Sequence, residues 1–395
     1  MATPRAAVPA ALLVLAGGLA AQITALSPNY RELSFSRNRS TNYSELLLIR
    51  GGLGGQVAAG EDKDVGKEND FVPDGQAWLH TEGFGAKTSA LDAYAGRDGV
   101  YAGIREGDIV GDGNIGRLEL TGRFFPFYRE GFYRDDSFIS TGRYEGKDYG
   151  AALSVGRLLR DDASLEVGAF YRWYKFERNE QTPANYVIPD DHETYGGQAW
   201  FEQRTLQFNR QTGRPEQGYL ATIGAVAEWN TSKQRFGIPG NYESQLPELV
   251  YRGRARLEWY FPQGQDNTWE FILDGSLSDS QDRVFNYDAT KPVGHTYVDA
   301  DLRYRLELGG GIYLAPMLKL EFIRILEQTG AGTQNKFFYG GGLYGGMDFS
   351  DALGLVLSYS YLNNESRPSP SWNEDLYGEH QFFIGVELRL MATQR

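Results

Sequence analysis

The chain has no cysteine, few histidines and no long apolar run after its N-terminus. Its 395 residues include 0 Cys, 4 His and 4 Met, so disulfide bonds are excluded as a source of stability. After the N-terminus no segment approaches 18 consecutive apolar residues, which excludes helical membrane spans. A surplus of positive charge is also lacking. The net charge of −13 argues against nucleic acid as a partner, because binding phosphate requires excess Lys and Arg.

The N-terminus resembles a secretory signal peptide. Residues 1–5 include one positive charge, residues 6–20 are mostly apolar, and Gly18 and Ala20 occupy the −3 and −1 positions for cleavage before Ala21. A membrane anchor is the alternative, but an apolar run of about 15 residues is short for a span. We therefore expect a signal peptide in residues 1–21 and export of the remainder. Lipid anchoring is excluded because no cysteine follows the run.

Aromatic residues and glycine are abundant. The chain has 25 Tyr, 22 Phe, 7 Trp and 49 Gly, a mixture that aromatic girdles and strand or turn glycines produce in membrane barrels. Its mean hydropathy of −0.46 is compatible with membrane insertion, since only alternate residues of a barrel strand face lipid.

The last 230 or so residues alternate with a period of two. In 251–261, Tyr251, Leu257 and Trp259 share one face, and three arginines and Glu258 share the other. Residues 298–308 repeat the pattern. A period of two over about ten residues is typical of a tilted membrane-spanning strand, whereas a helix would spread the charges around its circumference.

The connections between these segments alternate in length. Short turns occur near residues 160–162, 262–266, 309–310 and 350–351, and long polar stretches lie between them. Outer-membrane barrels have short periplasmic turns and long external loops. The pattern therefore predicts that the C-terminus lies in the periplasm.

The sequence thus predicts an all-β fold, a transmembrane antiparallel up-and-down β-barrel of about 16 strands, with 14–18 possible. Upstream strands are expected at 75–83, 91–96, 99–105, 118–125, 138–145 and 149–158. The expected organisation is a signal peptide (1–21), a polar N-terminal lead-in or plug (22–74), the barrel (75–390) and a C-terminal tail (391–395). Residues 46–59 are left open as either a strand or an inserted plug.

Alternation also assigns side chains to the two faces of the wall. A charge facing lipid at mid-membrane costs about 2–4 kcal/mol, so charged residues are expected to face the lumen. The lumen-facing candidates are Arg252, Arg254, Arg256, Glu258, Glu270, Asp274, Asp299, Asp301, Arg303, Arg305, Glu307, Lys319, Glu321, Glu387 and Arg389. The lipid-facing candidates are Leu257, Trp259, Leu302, Tyr304, Leu306, Ile384, Val386 and Leu388. The charges would either form a cross-lumen network or line a water-filled channel.

Catalytic and metal motifs are weak. The four histidines are His80, His192, His295 and His380. The last three fall at expected outer strand ends or in loops, but no G-x-S-x-G motif accompanies them. No strong metal-ligand spacing is present, and the glycine-rich stretches lack the Lys-Ser/Thr of a phosphate loop. No cofactor, metal or catalytic residue is predicted.

The signal sequence, alternating strands, sorted loops and apolar last strand resemble bacterial outer-membrane β-barrels of the porin-like kind. Locally, residues 204–219, with Arg214-Pro215-Glu216-Gln217-Gly218, look like BamA/TamA-type assembly barrels. There an Arg-containing strand end is followed by P-x-x-G and the next strand. The chain departs from that family in having no V-R-G-[FY] loop motif and no terminal Phe.

Two functions follow as hypotheses. The first is an outer-membrane protein of a Gram-negative-type cell that serves as a passive pore for small polar solutes, or as a structural or surface protein. The second is a surface hydrolase that uses a loop-end histidine. The expected partners are outer-membrane lipid and the outer-membrane assembly machinery, with no nucleic acid. The sequence leaves open the oligomeric state, the solute and whether the lumen is plugged.

Overall fold

The computed structural model describes residues 43–59, 70–84, 89–96, 99–109, 111–129, 132–134, 137–139, 144–178, 180, 182–209, 212–240, 242–264, 267–278, 294–326, 333–363 and 378–394. The predicted signal peptide (1–21) and most of several predicted long loops lie outside these ranges. Within the described residues, no helix has the length and apolarity needed to cross a membrane.

Sixteen antiparallel strands form one closed barrel, in which each strand pairs with its neighbours in the chain. This confirms the predicted all-β, up-and-down fold and the count of sixteen. The strands are β1 (Tyr43–Ala59), β2 (Asp70–Glu82), β3 (Ala90–Gly96), β4 (Gly99–Gly107), β5 (Asn114–Arg129), β6 (Tyr144–Arg160), β7 (Ala163–Glu177), β8 (His192–Arg204), β9 (Pro215–Asn230), β10 (Leu249–Gln263), β11 (Asn267–Ser278), β12 (Gly294–Gly309), β13 (Ile312–Leu326), β14 (Thr333–Ser350), β15 (Leu353–Asn363) and β16 (Gly378–Gln394).

The barrel closes where β1 pairs with β16. Their register runs from Tyr43 opposite Gln394 to Ala59 opposite Gly378. The wall therefore begins at Tyr43 and not at Gly75, so the expectation of a lead-in or plug over 22–74 is wrong for β1 and for the first residues of β2. The last strand also continues beyond residue 390 into the predicted tail.

One predicted wall strand is not found. Residues 137–139 form a small hairpin with Phe132–Arg134, and the wall strand of this region is β6, which starts at Tyr144. The predicted strand at 138–145 is therefore wrong. The correct total of sixteen arises because this false strand offsets β1, whose residues 46–59 are left open as a strand or a plug and are not counted.

Burial alternates along the strands as a barrel wall requires. On β10, Tyr251 and Trp259 are 53% and 47% exposed, whereas Arg252 is 5% exposed. The exposed set is apolar and the buried set is charged. Charged residues thus occupy the interior and apolar ones the outer surface of this part of the barrel.

Most long connections lie at one end of the barrel and most short ones at the other. The connection between β8 and β9 is an exception, since it spans residues 205–214 at the short-turn end. The two short strands β3 and β4 are joined at the long-loop end by only residues 97 and 98. Two of the long loops contact each other there, since Val187 pairs with Gly237. Tyr144, Tyr174 and Phe176 on the wall pack with residues of these loops in one apolar cluster. Both ends of the closed sheet, Tyr43 and Gln394, lie at the short-turn end.

Aromatic rings lie over glycines on the inner side of the wall. Trp200 stands directly opposite Gly224, and a Cβ on that glycine would fall 2.3 Å from the ring. Tyr313 stands opposite Gly346 in the same way. Glycine thus gives a large ring room to lie flat against the neighbouring strand.

Candidate functional site: the charged lumen

Three neighbouring strands, β10, β11 and β12, carry most of the buried charge. The antiparallel register sets Arg256 opposite Asp274, and their Nη1 and Oδ2 atoms are 3.2 Å apart. Arg305 lies 2.8 Å from Glu270 on the next strand. These pairs form because a two-residue repeat places every charge on the same face and the register aligns opposite signs.

All the predicted lumen-facing residues are buried or half-buried. Those that are buried are Arg252, Arg254, Arg256, Glu258, Glu270, Asp274, Asp301, Arg303, Arg305, Glu321, Glu387 and Arg389; those half-buried are Asp299, Glu307 and Lys319. Among the predicted lipid-facing residues, Trp259, Leu302, Ile384, Val386 and Leu388 are exposed, and Leu257, Tyr304 and Leu306 are half-buried.

The turn between β8 and β9 is long for the short-turn end and bends into the barrel. We call its described residues, Thr205–Asn209 and Thr212–Arg214, the lumen strap. At its base, Thr205 N donates to Tyr219 O over 2.8 Å. Near its tip, Gly213 N donates to Asn209 O over 2.8 Å. The bend requires Gly218, whose φ of +93° suits glycine and whose Cβ, if present, would lie 2.3 Å from Thr205 O.

Arg214 fixes the strap to strands far around the wall. Its side chain is fully buried and pairs with Glu307 on β12 at 3.3 Å and with Asp348 on β14 at 2.5 Å. The guanidinium also lies over the Tyr313 ring of β13, 3.6 Å from the centroid. Burial alone would lower the pKa of Arg214, but the acidic groups of Tyr313, Asp348 and Glu307 raise it above its ordinary value. The strap therefore holds a permanent positive charge inside the barrel.

Arg214 is one member of a continuous chain of alternating charges, which we call the charged belt. The belt lies toward the short-turn end, and each neighbouring pair in it is within 3.3 Å. In order, its members are Arg50, Glu387, Arg389, Asp348, Arg214, Glu307, Arg305 and Glu270. Four arginines alternate with four carboxylates, so the belt carries no formal net charge.

A second set of buried pairs lies on the opposite part of the wall. Arg117 of β5 donates to both carboxylate oxygens of Glu166 on β7, at 2.8 and 2.9 Å. Arg123 pairs with Asp148 on β6. Bidentate arginine–carboxylate pairs are among the strongest hydrogen bonds in proteins. Sequence reasoning missed these pairs because isolated charges between apolar residues give no run of alternation.

The histidines are distributed over three environments. His80 Nδ1 lies 2.8 Å from Asp92 Oδ1, and its Nε2 is 3.2 Å from Glu82. His192 stacks on Tyr174, and His380 Nδ1 is 2.9 Å from the Tyr359 hydroxyl. The His295 side chain lies outside the described set. Among the described residues, no group of His, Asp or Glu is arranged to hold a metal. None of these contacts favours the hydrolase alternative.

A cleft of about 460 Å³ opens at the long-loop end. Its lining comes mainly from the β7–β8 loop, including Arg178 and residues 184–191, together with Gln234. Arg178 is engaged by the loop itself, since its Nη1 donates to Tyr186 O over 2.6 Å. The cleft is therefore a surface feature of the packed loops and lies away from the charged belt.

Arg214 is the main site residue that sequence reasoning did not select. It falls in a turn, outside any alternating segment, and the sequence marked it only through the Arg-Pro-x-x-Gly resemblance. Its partner Asp348 follows a glycine-rich stretch in β14, where no charged repeat draws attention to it. Only the closed barrel brings these residues together.

The fold is similar to solved outer-membrane barrels. The chain aligns with BamA from Haemophilus ducreyi lacking POTRA domains 1–3, with 12% identity and a TM-score of 0.51 over 88% of this chain and 70% of that one. It also aligns with CdiB from Acinetobacter baumannii, with 8% identity and a TM-score of 0.50 over 86% of this chain and 60% of that one. At these identities the likeness shows the fold alone, and it confirms the predicted resemblance to outer-membrane β-barrels.

OprB from Pseudomonas putida aligns with 11% identity over 88% of this chain and 94% of that one, with a TM-score of 0.47, which is too low to carry an argument. No protein-family model and no curated protein matches the chain. The chain therefore has the fold of an outer-membrane β-barrel.

Proposed function

We propose that the protein is an outer-membrane barrel that serves as a narrow passive pore for small polar solutes. The observation that carries this proposal is the distribution of side chains on β10–β12, with charges inside the barrel and exposed apolar residues outside. Barrels of sixteen or more strands have interiors wide enough for an aqueous channel. A charged inner face is suited to water and an apolar outer face to lipid.

The pairing of the charges bears on selectivity. Arg256 lies 3.0 Å from Glu258 and 3.2 Å from Asp274, and Arg252 lies 2.6 Å from Glu228. Because Arg252 and Arg256 each have a carboxylate beside them, their charges largely cancel along this wall. We therefore expect a preference for small polar solutes with little discrimination by the sign of their charge.

Export and assembly belong to the same proposal. The predicted signal peptide over residues 1–21 would direct the chain across the inner membrane. Outer-membrane lipid would contact the apolar outer face, and the outer-membrane assembly machinery would insert the barrel. The exposed Ile384, Val386 and Leu388 of the last strand are consistent with such insertion.

Electrical recording from the purified protein in planar bilayers tests the pore. We expect stepwise conductance from the wild type, with a reversal potential close to zero in a salt gradient. Replacing Arg252, Arg254 and Arg256 together by Glu should shift the reversal potential towards cation selectivity, because the inner wall becomes acidic.

A matched control is Arg235→Glu. Arg235 lies in a loop at the long-loop end with 69% of its side chain exposed, so its reversal should not move the reversal potential. The milder Arg254→Gln serves if the triple variant does not fold. Unchanged selectivity in folded variants would show that these arginines do not line the conducting path. A wild type and an Arg214→Ala variant, in which the strap loses its ion pairs, that both stay silent in every bilayer would refute the pore.

A further inference from the structure

The lumen strap contacts the far side of the barrel. It leaves the wall between β8 and β9, yet Gly213 approaches Tyr43 of β1 so closely that a Cβ there would lie 3.1 Å from the tyrosine hydroxyl. Arg214 reaches β12, β13 and β14. In a closed wall of sixteen strands, β8 and β9 lie opposite β16 and β1. The strap therefore crosses the lumen and does not follow the rim.

Arg214 makes most of the side-chain contacts between the strap and distant strands of the wall. Its base is a hairpin extension, in which Gln207 pairs with Gln217. Its far end is held by Arg214 and by Arg305, which donates to Pro215 O. The guanidinium of Arg214 makes the two ion pairs and covers the Tyr313 ring. A strap anchored by charge at one end and by a glycine bend at the other is suited to move as a unit about Gly218.

The two carboxylates that hold Arg214 each have another arginine on the wall. Glu307 lies 3.3 Å from Arg305, and Asp348 lies 2.6 Å from Arg389. If Arg214 left, both carboxylates would keep a partner, and Arg214 would regain water. Removing one member of an isolated buried pair leaves a stranded charge, which is strongly unfavourable. Here neither the wall nor the strap is left with an uncompensated buried charge.

We infer that the lumen strap is a releasable latch that narrows the short-turn end of the pore, with Arg214 as the residue that holds it closed. The inference rests on the proposed pore function. When Arg214 separates from Glu307 and Asp348, the strap swings towards β8 and β9 and the lumen widens.

Single-channel recording of Arg214→Ala provides the first test. We expect the mean conductance to rise severalfold over the wild type, because the strap is no longer held across the lumen. Arg235→Ala is the control. It also removes an arginine with a carboxylate partner, but that arginine is 69% exposed in a loop at the long-loop end and the strap stays anchored, so the conductance should stay at the wild-type level.

Cysteine labelling provides a second test that does not depend on conduction. The chain has no cysteine, so Thr212→Cys introduces a unique thiol on the strap. A bulky water-soluble maleimide should label it slowly in the otherwise wild-type barrel and many times faster when Arg214→Ala is added. Adding Arg235→Ala should leave the labelling rate unchanged, because Arg235 lies in an exposed loop at the other end of the barrel.

If Arg214→Ala does not fold, Arg214→Lys and Asp348→Asn replace it. Lysine keeps the charge of Arg214 but loses the planar guanidinium, and Asp348→Asn removes one of the two carboxylates that hold Arg214. Both variants should therefore give intermediate conductance and intermediate labelling rates. The fraction of folded barrel is measured by its resistance to unfolding in detergent on an unheated gel.

The outcomes separate the two proposals. Faster labelling without conductance in any variant would support the latch and refute the pore. Conductance from the wild type, with no change in either measurement on loss of Arg214, would support the pore and overturn the latch.

Discussion

Two parts of the inner wall are built differently. The charged arc is the inner face of β9–β12, with Glu228, Arg252, Arg254, Arg256, Glu258, Glu270, Asp274, Asp301, Arg303 and Arg305. The aromatic arc is the inner face of β13–β16 and β1–β4, with Tyr313, Phe338, Tyr344, Val356, Phe383, Leu46, Leu48, Trp78, Tyr94 and Tyr101. All of these residues are buried. Only at the short-turn end does the charged belt cross from one arc to the other.

Different kinds of side chain fill the inner face of the sheet in the two arcs. In the charged arc, long side chains extend from each strand and are fixed by partners on the next, as Arg305 is by Glu270. In the aromatic arc, rings lie against glycines, as Tyr313 does on Gly346. Stability in the first arc depends on paired charges, and in the second on close packing. The arcs should therefore respond to different substitutions.

The largest effect is expected from removing one charge of the charged arc. Glu228 is fully buried and lies 2.6 Å from Arg252. Glu228→Ala leaves that arginine buried without its carboxylate, and we expect the free energy of unfolding to fall by about 3–5 kcal/mol. Urea unfolding of the barrel in lipid vesicles measures this change in the free energy of unfolding.

Two variants sharpen that prediction. Glu243→Ala removes a carboxylate from a loop pair with the exposed Arg235 and should cost less than about 1 kcal/mol. Replacing Glu228 by Leu and Arg252 by Met together should restore much of the stability, because no fully buried charge then loses its partner. Arg172, which lies 3.9 Å from Glu228, keeps 22% of its side chain exposed. If Glu228→Ala is as stable as the wild type, charge pairing does not stabilise this arc.

A charge placed on the outer surface should have the next largest effect. The loss of stability should be the same on the outer face of the charged arc as on that of the aromatic arc. Leu302 lies in the middle of β12 and Ile384 within β16, and both are exposed. Arginine at either position should reduce the free energy of unfolding by about 2–4 kcal/mol in a bilayer. The exposed Leu308, at the end of β12, is the depth control, and Leu308→Arg should cost no more than about 1 kcal/mol. Equal costs at Leu302 and Leu308 would argue against a membrane around the barrel.

The smallest effect is expected from adding a methyl group in the aromatic arc. A Cβ on Gly346 would lie 2.4 Å from Leu355 O and 2.6 Å from the Tyr313 hydroxyl. Gly346→Ala should therefore reduce the free energy of unfolding by about 1–3 kcal/mol. Gly253, on the outer face of β10, is the control, because the nearest neighbour of its Cβ would be 3.6 Å away. If both alanines have the same effect, the close packing around Gly346 does not make that position sensitive.

The same contrast explains which parts of the fold could be predicted from the sequence. Where charges alternate with apolar residues, as in 251–261 and 298–308, the period of two is visible and the two faces are distinct. Residues 46–49 of β1 are Leu-Leu-Leu-Ile. There Leu46 and Leu48 are buried inside and Ile49 is exposed outside. Because both faces of this strand are apolar, alternation is absent, and the sequence leaves a strand and a plug equally open for residues 46–59.

The lumen strap could not be predicted for another reason. Its contacts join Arg214 to Glu307 and Asp348, which lie 93 and 134 residues further along the chain. Nothing in the local pattern of residues 205–214 favours a path into the barrel over an ordinary turn. The contact is a property of the closed wall, since it depends on which strands stand opposite each other. The charged faces were predictable from the local sequence, and the residue that bridges them was not.

The short hairpin β3–β4 has a consequence for how the barrel would sit in a bilayer. These strands have 7 and 9 residues, whereas a strand that crosses the hydrocarbon layer at a tilt needs about 9–11. Opposite them, β11 has 12 residues and β12 has 16. A wall that is low on one side produces hydrophobic mismatch there, and lipids adapt to mismatch by local thinning. The outer leaflet should therefore be drawn down beside β3 and β4, which makes this side the one where lipid headgroups come nearest to the middle of the barrel.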